Sequence, residues 1–237
     1  MRNLILLTVL PLATAATTMA GLITYDFNTG FVNGGNLPDG NVNPWSDTRA
    51  VSGTPGELIT DISVRLTLAG GCNGDLYGYL SYNGTLVPLL NRVGLGSSDS
   101  FGYADAGLNV TFTDGAANNI HFYQSVGGYS IAGGAAWQPD GRAINPVTAA
   151  PSDFDAPGTA TLLGAFSKMD PSGNWSLVLA DVSAGGGQSQ VLSWGLDITT
   201  ASVPEPSTLA FAGLALAGLL IARRRQYSRL ASSRGWR

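Results

Sequence analysis

Apolar and polar residues alternate along four stretches of this chain. The pattern is clearest at 61–68 and recurs at 108–112, 175–179 and 192–198. A period of two residues is typical of a β-strand that buries one face. The apolar residues that we predict to point inward are Ile62, Val64, Leu66, Leu68, Leu108, Val110, Phe112, Trp175, Leu177, Leu179, Leu192, Trp194, Leu196 and Ile198. The two largest of them, Trp175 and Trp194, are the predicted centre of the structural core, because their rings bury the most apolar area.

Turn residues separate these stretches, and no part of the chain between 21 and 202 shows a capped helical stripe. The turn signals are Gly70-Gly71, Asn83-Gly84, Asp114-Gly115, Asp170-Pro171-Ser172-Gly173 and Gly185-Gly186-Gly187. Short alternating strands with glycine-rich turns favour two packed antiparallel sheets. We therefore predict an all-β fold, an antiparallel β-sandwich of the jelly-roll-like kind, over residues 59–200.

Two regions fit this pattern less well. Residues 21–58 include a long segment rich in Gly, Asn and Pro, and we expect them to lead into the first strong strand. Residues 115–160 contain few strand-like runs beyond Ile120 to Tyr123. Long structureless loops are uncommon inside compact domains, so we expect irregular loops there with one or two short strands.

The N-terminal residues 1–20 have the layout of a secretory signal peptide. Arg2 gives a positive start, Leu4 to Leu12 form a short apolar run, and small residues precede Gly21. Signal peptidase needs small residues before the cleaved bond. We expect cleavage after Ala20, with Ala15 as the alternative.

The C-terminal residues 201–237 have the layout of a membrane-retention signal. Val203, Pro204, Glu205 and Pro206 precede an apolar run of 14 residues from Leu209 to Ala222, and the basic residues Arg223, Arg224 and Arg225 follow it. As a helix this run is about 21 Å long at ~1.5 Å per residue, which is short for a bilayer core of ~30 Å. The arginines would stay on the cytoplasmic side by the positive-inside rule. A short buried core helix is the alternative.

This order of motif, apolar run and arginine cluster resembles the PEP-CTERM sorting tail of exported bacterial proteins. The resemblance implies that an exosortase, a membrane protease-transpeptidase, recognises Pro204, Glu205 and Pro206. It also implies transient residence in the inner membrane before release to the cell surface or the extracellular space. Signal peptidase would be the other processing enzyme.

Charge is unevenly distributed between the ends and the body of the chain. Residues 21–202 carry 15 acidic and five basic residues, whereas seven of the 12 basic residues lie in the two ends. Such an acidic body argues against nucleic acid as a partner and permits divalent cations. Cys72 is the only cysteine, so an internal disulfide is excluded. We expect Cys72 to be buried in a turn, with an intermolecular disulfide as the alternative.

Three motif groups in the body resemble the P domain, or Homo B domain, that follows the catalytic domain of proprotein convertases. The first runs from Ile62 to Leu68 and continues through Gly74-Asp75-Leu76 and Asn83-Gly84-Thr85. The second is the segment from Leu108 to Asp114. The third runs from Asp170 to Asp181 and continues from Leu192 to Ile198. The resemblance covers about 60–198, with poor agreement after Gly115, and it implies a binding or structural β-sandwich.

Catalytic chemistry is not indicated by the sequence. A serine-protease triad needs a histidine base, and the only histidine is His121, with no accompanying nucleophile motif. We interpret His121 as a strand residue paired with a surface carboxylate. Histidine and cysteine are too few for a zinc site. We therefore expect a protein that is not an enzyme and needs no organic cofactor.

Calcium is the one ligand for which the sequence offers candidate binding residues. Calcium prefers six to eight oxygen ligands, and the P-domain resemblance places candidate donors at Asn73, Asp75, Asp105 and Asp114. No EF-hand loop or nonapeptide repeat is present. The alternative is that these residues form turns or face solvent.

The expected function is that of a non-catalytic surface or extracellular-matrix protein with a P-domain-like module. A first alternative is a calcium-assisted adhesin that binds exopolysaccharide through exposed aromatic residues, for which Trp45, Tyr77, Tyr79 and Trp137 are the candidates. A second alternative is an accessory partner of a separately encoded protease. A hydrolase with an unrecognised carboxylate site is a further alternative.

Overall fold

The computed structural model describes residues 20–202, 213–214, 217–221 and 223. Residues 1–19 of the predicted signal peptide and the Pro204-Glu205-Pro206 motif lie outside the described residues. Met19–Ser202 form one compact unit, and the described residues between 213 and 223 belong to a second one. In the second unit the described residues are helical. Among the described residues, no helix has the length and apolar character needed to cross a membrane.

Two β-sheets make up the unit Met19–Ser202. Its strands are β1 (Ala20–Phe27), β2 (Trp45–Val51), β3 (Glu57–Gly70), β4 (Leu76–Tyr82), β5 (Thr85–Asn91), β6 (Leu108–Thr113), β7 (Ala135–Trp137), β8 (Gly173–Asp181) and β9 (Ser189–Ser202). The five-stranded sheet has the order β1-β9-β3-β6-β7 and the four-stranded sheet the order β2-β8-β4-β5. All neighbours are antiparallel except β6 and β7. The prediction of an all-β sandwich is confirmed.

Helical structure in the described part of this unit is limited to short segments. The α-helix α1 spans Leu162–Phe166, and single 3-10 turns span Val32–Gly35, Asn73–Asp75, Ile120–Ser125 and Pro151–Phe154. Within the poorly patterned segment 115–160, only β7 is a strand. The segment 21–58, expected as a lead-in, instead supplies β1 and β2 to the two sheets.

The core lies between the sheets, where alternate residues of each strand meet. Trp175 is 0% exposed and stacks on Tyr82 with the ring centroids 4.1 Å apart. Its indole N–H donates to the carbonyl oxygen of Pro171 at 2.9 Å. A buried indole needs such a partner because an unpaired N–H costs free energy.

Trp194 connects the two sheets at the other side of the core. It is 1% exposed, and its indole N–H donates to the carboxylate of Asp47 on β2 at 2.7 Å. Arg49 donates to the same carboxylate at 2.7 Å. The negative charge of Asp47 is therefore balanced next to the core.

One predicted inward residue points outward. Leu192 is 45% exposed, whereas its neighbour Val191 is 1% exposed. The register between β3 and β9 shifts here, since Thr67 pairs with Ser193 but Leu68 pairs with Val191. Leu192 is the extra residue of a β-bulge, and the bulge reverses the alternation that the sequence pattern assumed.

The hairpin between β4 and β5 turns at Asn83-Gly84. Both residues have positive φ, 48° at Asn83 and 78° at Gly84. This backbone suits the right-handed twist of a two-residue hairpin and favours Asn-Gly. The turn sets the register that places Tyr77 and Tyr79 on the outer face of β4.

Candidate functional site

The four residues predicted to bind calcium do not form one site. Asp105 precedes β6 and Asp114 follows it, and a strand of this length spans about 20 Å. Asp114 accepts hydrogen bonds from the backbone N–H groups of Leu162 at 3.0 Å and Leu163 at 2.7 Å. Its carboxylate therefore holds the first turn of α1, where a negative charge is favourable.

Asn73 and Asp105 do come together, in a cluster with Tyr123. The backbone N–H of Asn73 donates to the carbonyl oxygen of Asp105 at 2.9 Å. The hydroxyl of Tyr123 donates to the Asp105 carboxylate at 2.8 Å, and Gln124 donates to the same oxygen at 2.6 Å. Burial is the largest cause that raises the pKa of Tyr123. The Asp105 carboxylate already has two donors, whereas the buried Oδ1 of Asn73 has no hydrogen-bond partner.

Asp75 lies in a different group of carboxylates, which the sequence interpretation missed. It ends the 3-10 turn Asn73–Asp75, directly before β4, whose first residue, Leu76, pairs with Asp181 at the end of β8. Asp39 lies on the loop between β1 and β2, and accepts a hydrogen bond from the N–H of Gly185 at 3.2 Å. Three loops thus bring three carboxylates to one edge of the sandwich.

Asp181 is the buried member of this carboxylate group, which comprises Asp39, Asp75 and Asp181. It follows Trp175, Leu177 and Leu179 in the inward phase of β8, and it is 0% exposed. Neither of its carboxylate oxygens has a hydrogen-bond partner. The N–H groups of Gly40 and Ser183 face the carboxylate and lower its pKa, but they do not reach hydrogen-bond geometry.

The electrostatics of the carboxylate group disfavour its full negative charge. Burial, followed by repulsion from Asp75 and Asp39, raises the pKa of Asp181 to about 6. Burial also raises the pKa of Asp75, against the hydroxyl of Ser183 and the cation of Arg92, which lower it. The Arg92 guanidinium is 3.9 Å from the Asp75 carboxylate, so its compensation is weak.

Cys72 lies beside the same carboxylates. It is half-buried, against the expectation of full burial, and its Sγ is 3.9 Å from the carbonyl oxygen of Gly186. Burial raises the pKa of the Cys72 thiol, and the charges of Asp75, Asp181 and Asp39 raise it further. A thiol held in this way is a poor nucleophile and a poor thiolate ligand at neutral pH.

The surroundings of His121 differ from those expected. It lies in the 3-10 turn Ile120–Ser125, not in a strand, and its partner Asp140 is buried, not at the surface. Its Nδ1 is 2.7 Å from the Asp140 carboxylate and its Nε2 is 2.9 Å from the carbonyl oxygen of Leu95. The expected surface partner was wrong because the turn packs against the loop that carries Asp140, 19 residues later in the sequence.

The aromatic candidates for a carbohydrate surface divide into two pairs. Trp45 and Trp137 are each 4% exposed and belong to the core. Tyr77 and Tyr79 are half-buried on the outer face of β4, with ring centroids 5.7 Å apart. Only the tyrosine pair remains available for stacking on a ligand.

Comparison with known proteins identifies the C-terminal tail and leaves the body without an assigned family. Residues 202–226 match the family model of the PEP-CTERM protein-sorting motif. This motif indicates an exported protein that is processed by an exosortase and reaches the cell surface or the extracellular space. No curated protein matches the chain.

Two solved structures from Aeromonas sobria are similar in part. One is the crystal structure of the serine protease (ASP) and chaperone (ORF2) complex, with a TM-score of 0.41 and 14% identity over 78% of this chain. The other is the crystal structure of the serine protease, with a TM-score of 0.41 and 13% identity over 79% of this chain. In both, the chain spans only 28% of the length of the matched protein.

Proposed function

We propose that this protein is a non-catalytic module of the cell surface or extracellular matrix, delivered there by an exosortase. The observation that carries the proposal is the match of residues 202–226 to the PEP-CTERM motif. Strand β9 ends at Ser202, the first residue of that match, so the sorting motif directly follows the folded sandwich in the sequence.

The absence of catalysis is part of this proposal, and the position of His121 supports it. The only histidine of the chain is 0% exposed, with both ring nitrogens engaged by Asp140 and Leu95. A general base must reach the proton that it removes. A histidine enclosed in this way cannot approach an external substrate without local unfolding.

The sorting part is tested by replacing Pro204, Glu205 and Pro206 with alanine in the native host. We expect the variant to accumulate as unprocessed chain in the membrane fraction, while the wild-type body reaches the surface. Replacement of Ser207 and Thr208 by alanine is the matched control, since it leaves the motif intact. Unchanged processing of the Pro204-Glu205-Pro206 variant would contradict the proposal.

A second candidate function is a calcium-assisted polysaccharide adhesin, which the half-buried tyrosine pair on the outer face of β4 favours. Tyr77 and Tyr79 present two rings on the outer face of β4, and aromatic faces contribute large contact area to binding. A glycan array of the full chain with and without calcium tests this function. Binding that is lost in Tyr77→Ala and Tyr79→Ala supports it, and an array without hits refutes it.

A further inference from the structure

Asp181 places a carboxylate where the structure offers little to balance a negative charge, because the nearby N–H groups of Gly40 and Ser183 do not outweigh burial and repulsion. The side chain is fully buried at the end of β8, and both carboxylate oxygens lack a hydrogen-bond partner. Burial of an ionised carboxylate is costly unless it is paired, hydrogen-bonded or bound to a metal. The Asp181 carboxylate is therefore expected to bind either a cation or a proton.

The charged and titratable groups around Asp181 do not supply that cation. Asp75 and Asp39 add negative charge, and the thiol of Cys72 is neutral. The cation that contacts this group is Arg92, which is 3.9 Å from Asp75 and donates its Nε–H to the carbonyl oxygen of Gly74. One distant guanidinium against three carboxylates leaves an excess of negative charge.

The chemistry of the donors selects a particular kind of cation. The available groups are carboxylate oxygens, a hydroxyl at Ser183 and main-chain carbonyls of the surrounding loops. Calcium takes six to eight oxygen ligands in flexible geometry and accepts main-chain oxygens and water. Zinc prefers nitrogen and sulfur ligands. In the described part of the chain no three His, Cys, Asp or Glu side chains converge closely enough to hold a metal ion of any kind, so at most two of these carboxylates can be direct ligands.

We propose that Asp181 and Asp75 bind a calcium ion whose remaining ligands are main-chain oxygens and water, while Asp39 adds its negative charge from nearby. The ion neutralises the buried carboxylate and fastens two glycine-containing loops to the start of β4. One loop carries Asp39 and Gly40, and the other carries Gly185, Gly186 and Gly187. An added Cβ at Gly186 would lie 2.5 Å from Cys72 Sγ, so the second loop already sits close over this site.

This proposal replaces the ligand set expected from the sequence with a different one. It keeps Asp75, adds Asp181, and leaves out Asn73, Asp105 and Asp114. The proposed site would bind the calcium ion that the adhesin function needs, but the site does not depend on that function. Calcium binding without any glycan binding would refute the adhesin and leave the ion site in place.

Thermal unfolding of the full chain in neutral detergent tests the site. In EGTA at pH 7.5 we expect a lower melting temperature than in calcium chloride, by about 5–10 °C when calcium exceeds its Kd about 100-fold. Magnesium at the same concentration should give a much smaller shift. An identical melting temperature in calcium and EGTA, with no heat in a calcium titration, overturns the proposal.

Asp181→Asn separates a ligand from a merely structural residue. We expect this variant to lose the calcium-dependent shift, yet to unfold in EGTA at the same temperature as the wild type or above it, because asparagine brings no charge into the core. A structural residue would lower the melting temperature equally in both conditions. Asp105→Asn is the matched control and should keep the full calcium shift. Loss of that shift in Asp105→Asn and its survival in Asp181→Asn would place the ion at the other cluster and refute the proposed site.

Discussion

Two buried carboxylates, Asp140 and Asp181, have the same exposure and opposite surroundings. Both are 0% exposed. Asp140 contacts Arg142 at 3.1 Å and His121 at 2.7 Å, and it accepts the backbone N–H of Asn91 at 3.2 Å. Asp181 has no partner for either oxygen. A carboxylate whose oxygens are all paired holds its own loop in place. A carboxylate whose oxygens are unpaired can still bind a ligand from outside the chain.

The fixed role of Asp140 follows from the elements that it joins. The loop that carries it adds to the free edge of β5, where the N–H of Asp140 donates to Leu89 and that of Gly141 to Pro88. Arg142 donates to the carbonyl oxygen of Phe154 at 2.9 Å. The Asp140 cluster therefore covers a sheet edge that would otherwise be open to other strands.

Asp140→Asn should have the largest effect among substitutions at these clusters. The amide leaves Arg142 buried without a counterion, and breaking a buried pair in this way costs about 3–5 kcal/mol of unfolding free energy. Asp181→Asn is the matched variant and should cost nothing in EGTA. Urea unfolding followed by tryptophan fluorescence measures both. Equal destabilisation of the two variants would remove the distinction between paired and unpaired carboxylates.

The second-largest effect should be a change of the unfolding free energy with pH that is caused by Asp181. Its folded pKa of about 6 lies above the ordinary value of 3.8, so the folded state binds the proton more tightly than the unfolded state. Without calcium, the unfolding free energy should therefore fall as pH rises from about 4 through about 6, by up to about 3 kcal/mol, and then level off. The raised pKa of Asp75 acts in the same direction.

The pKa values of two other carboxylates are shifted in the opposite direction, and they set the lower limit of the pH range for this measurement. Hydrogen bonds from Ser97 lower the pKa of Asp155, and those from Ser172 lower the pKa of Asp170. The stability that they add is lost only as pH falls below their ordinary value of 3.8. Urea unfolding between pH 4.5 and 8 therefore avoids the range in which Asp155 and Asp170 titrate. A profile in Asp181→Asn as steep as that of the wild type would contradict the assignment to Asp181.

The sequence predicted the sheets well because their signal is local. Trp175, Leu177 and Leu179 alternate with polar or smaller residues, and all three are 0% exposed. The same alternation leads to Asp181, two residues after Leu179, and it is the signal by which the buried carboxylate could have been found. The bulge at Leu192 was not predictable, because it depends on the register against β3.

The clusters were harder to predict because their members are distant in the sequence. Asp39 lies on the loop between β1 and β2, whereas Asp181 ends β8 far along the chain. His121 meets Asp140 only through a turn that has no periodic pattern. Strands β1 and β2 were missed for a related reason. Glycine, asparagine and proline dominate the connection between them, and the partners that pair them, β9 and β8, come at the end of the body.

Tyr123→Phe tests an intermediate case, the half-exposed Asp105 with two donors. The variant removes the hydroxyl that donates to Asp105 at 2.8 Å and leaves the donor of Gln124 in place. We expect a loss of about 1–2 kcal/mol in urea unfolding, as for one hydrogen bond to a charged group. The calcium shift of the melting temperature should be unchanged. If Tyr123→Phe lost more unfolding free energy than Asp140→Asn, the Asp105 cluster would contribute more to stability than the Asp140 cluster, against this prediction.

The smallest effect should be seen at Cys72, which reports on the carboxylates beside it. Since it is the only cysteine, alkylation by iodoacetamide reads a single site. The charge of Asp181 helps to raise the pKa of the Cys72 thiol. Asp181→Asn should therefore lower that pKa and increase the alkylation rate in EGTA at pH 8 by about two- to threefold, because the thiolate is the reactive form.

The alkylation control uses the paired cluster. Asp140 is not among the groups that raise the pKa of Cys72, so a variant there should leave the rate unchanged while the chain stays folded. Asp140→Asn is measured under conditions where fluorescence shows the native state. An equal rate increase in Asp140→Asn and Asp181→Asn would mean that the thiol reports general loosening of the sandwich. An increase confined to Asp181→Asn would show that the unbalanced charge of this one carboxylate acts on its neighbours, as the missing partners of its oxygens require.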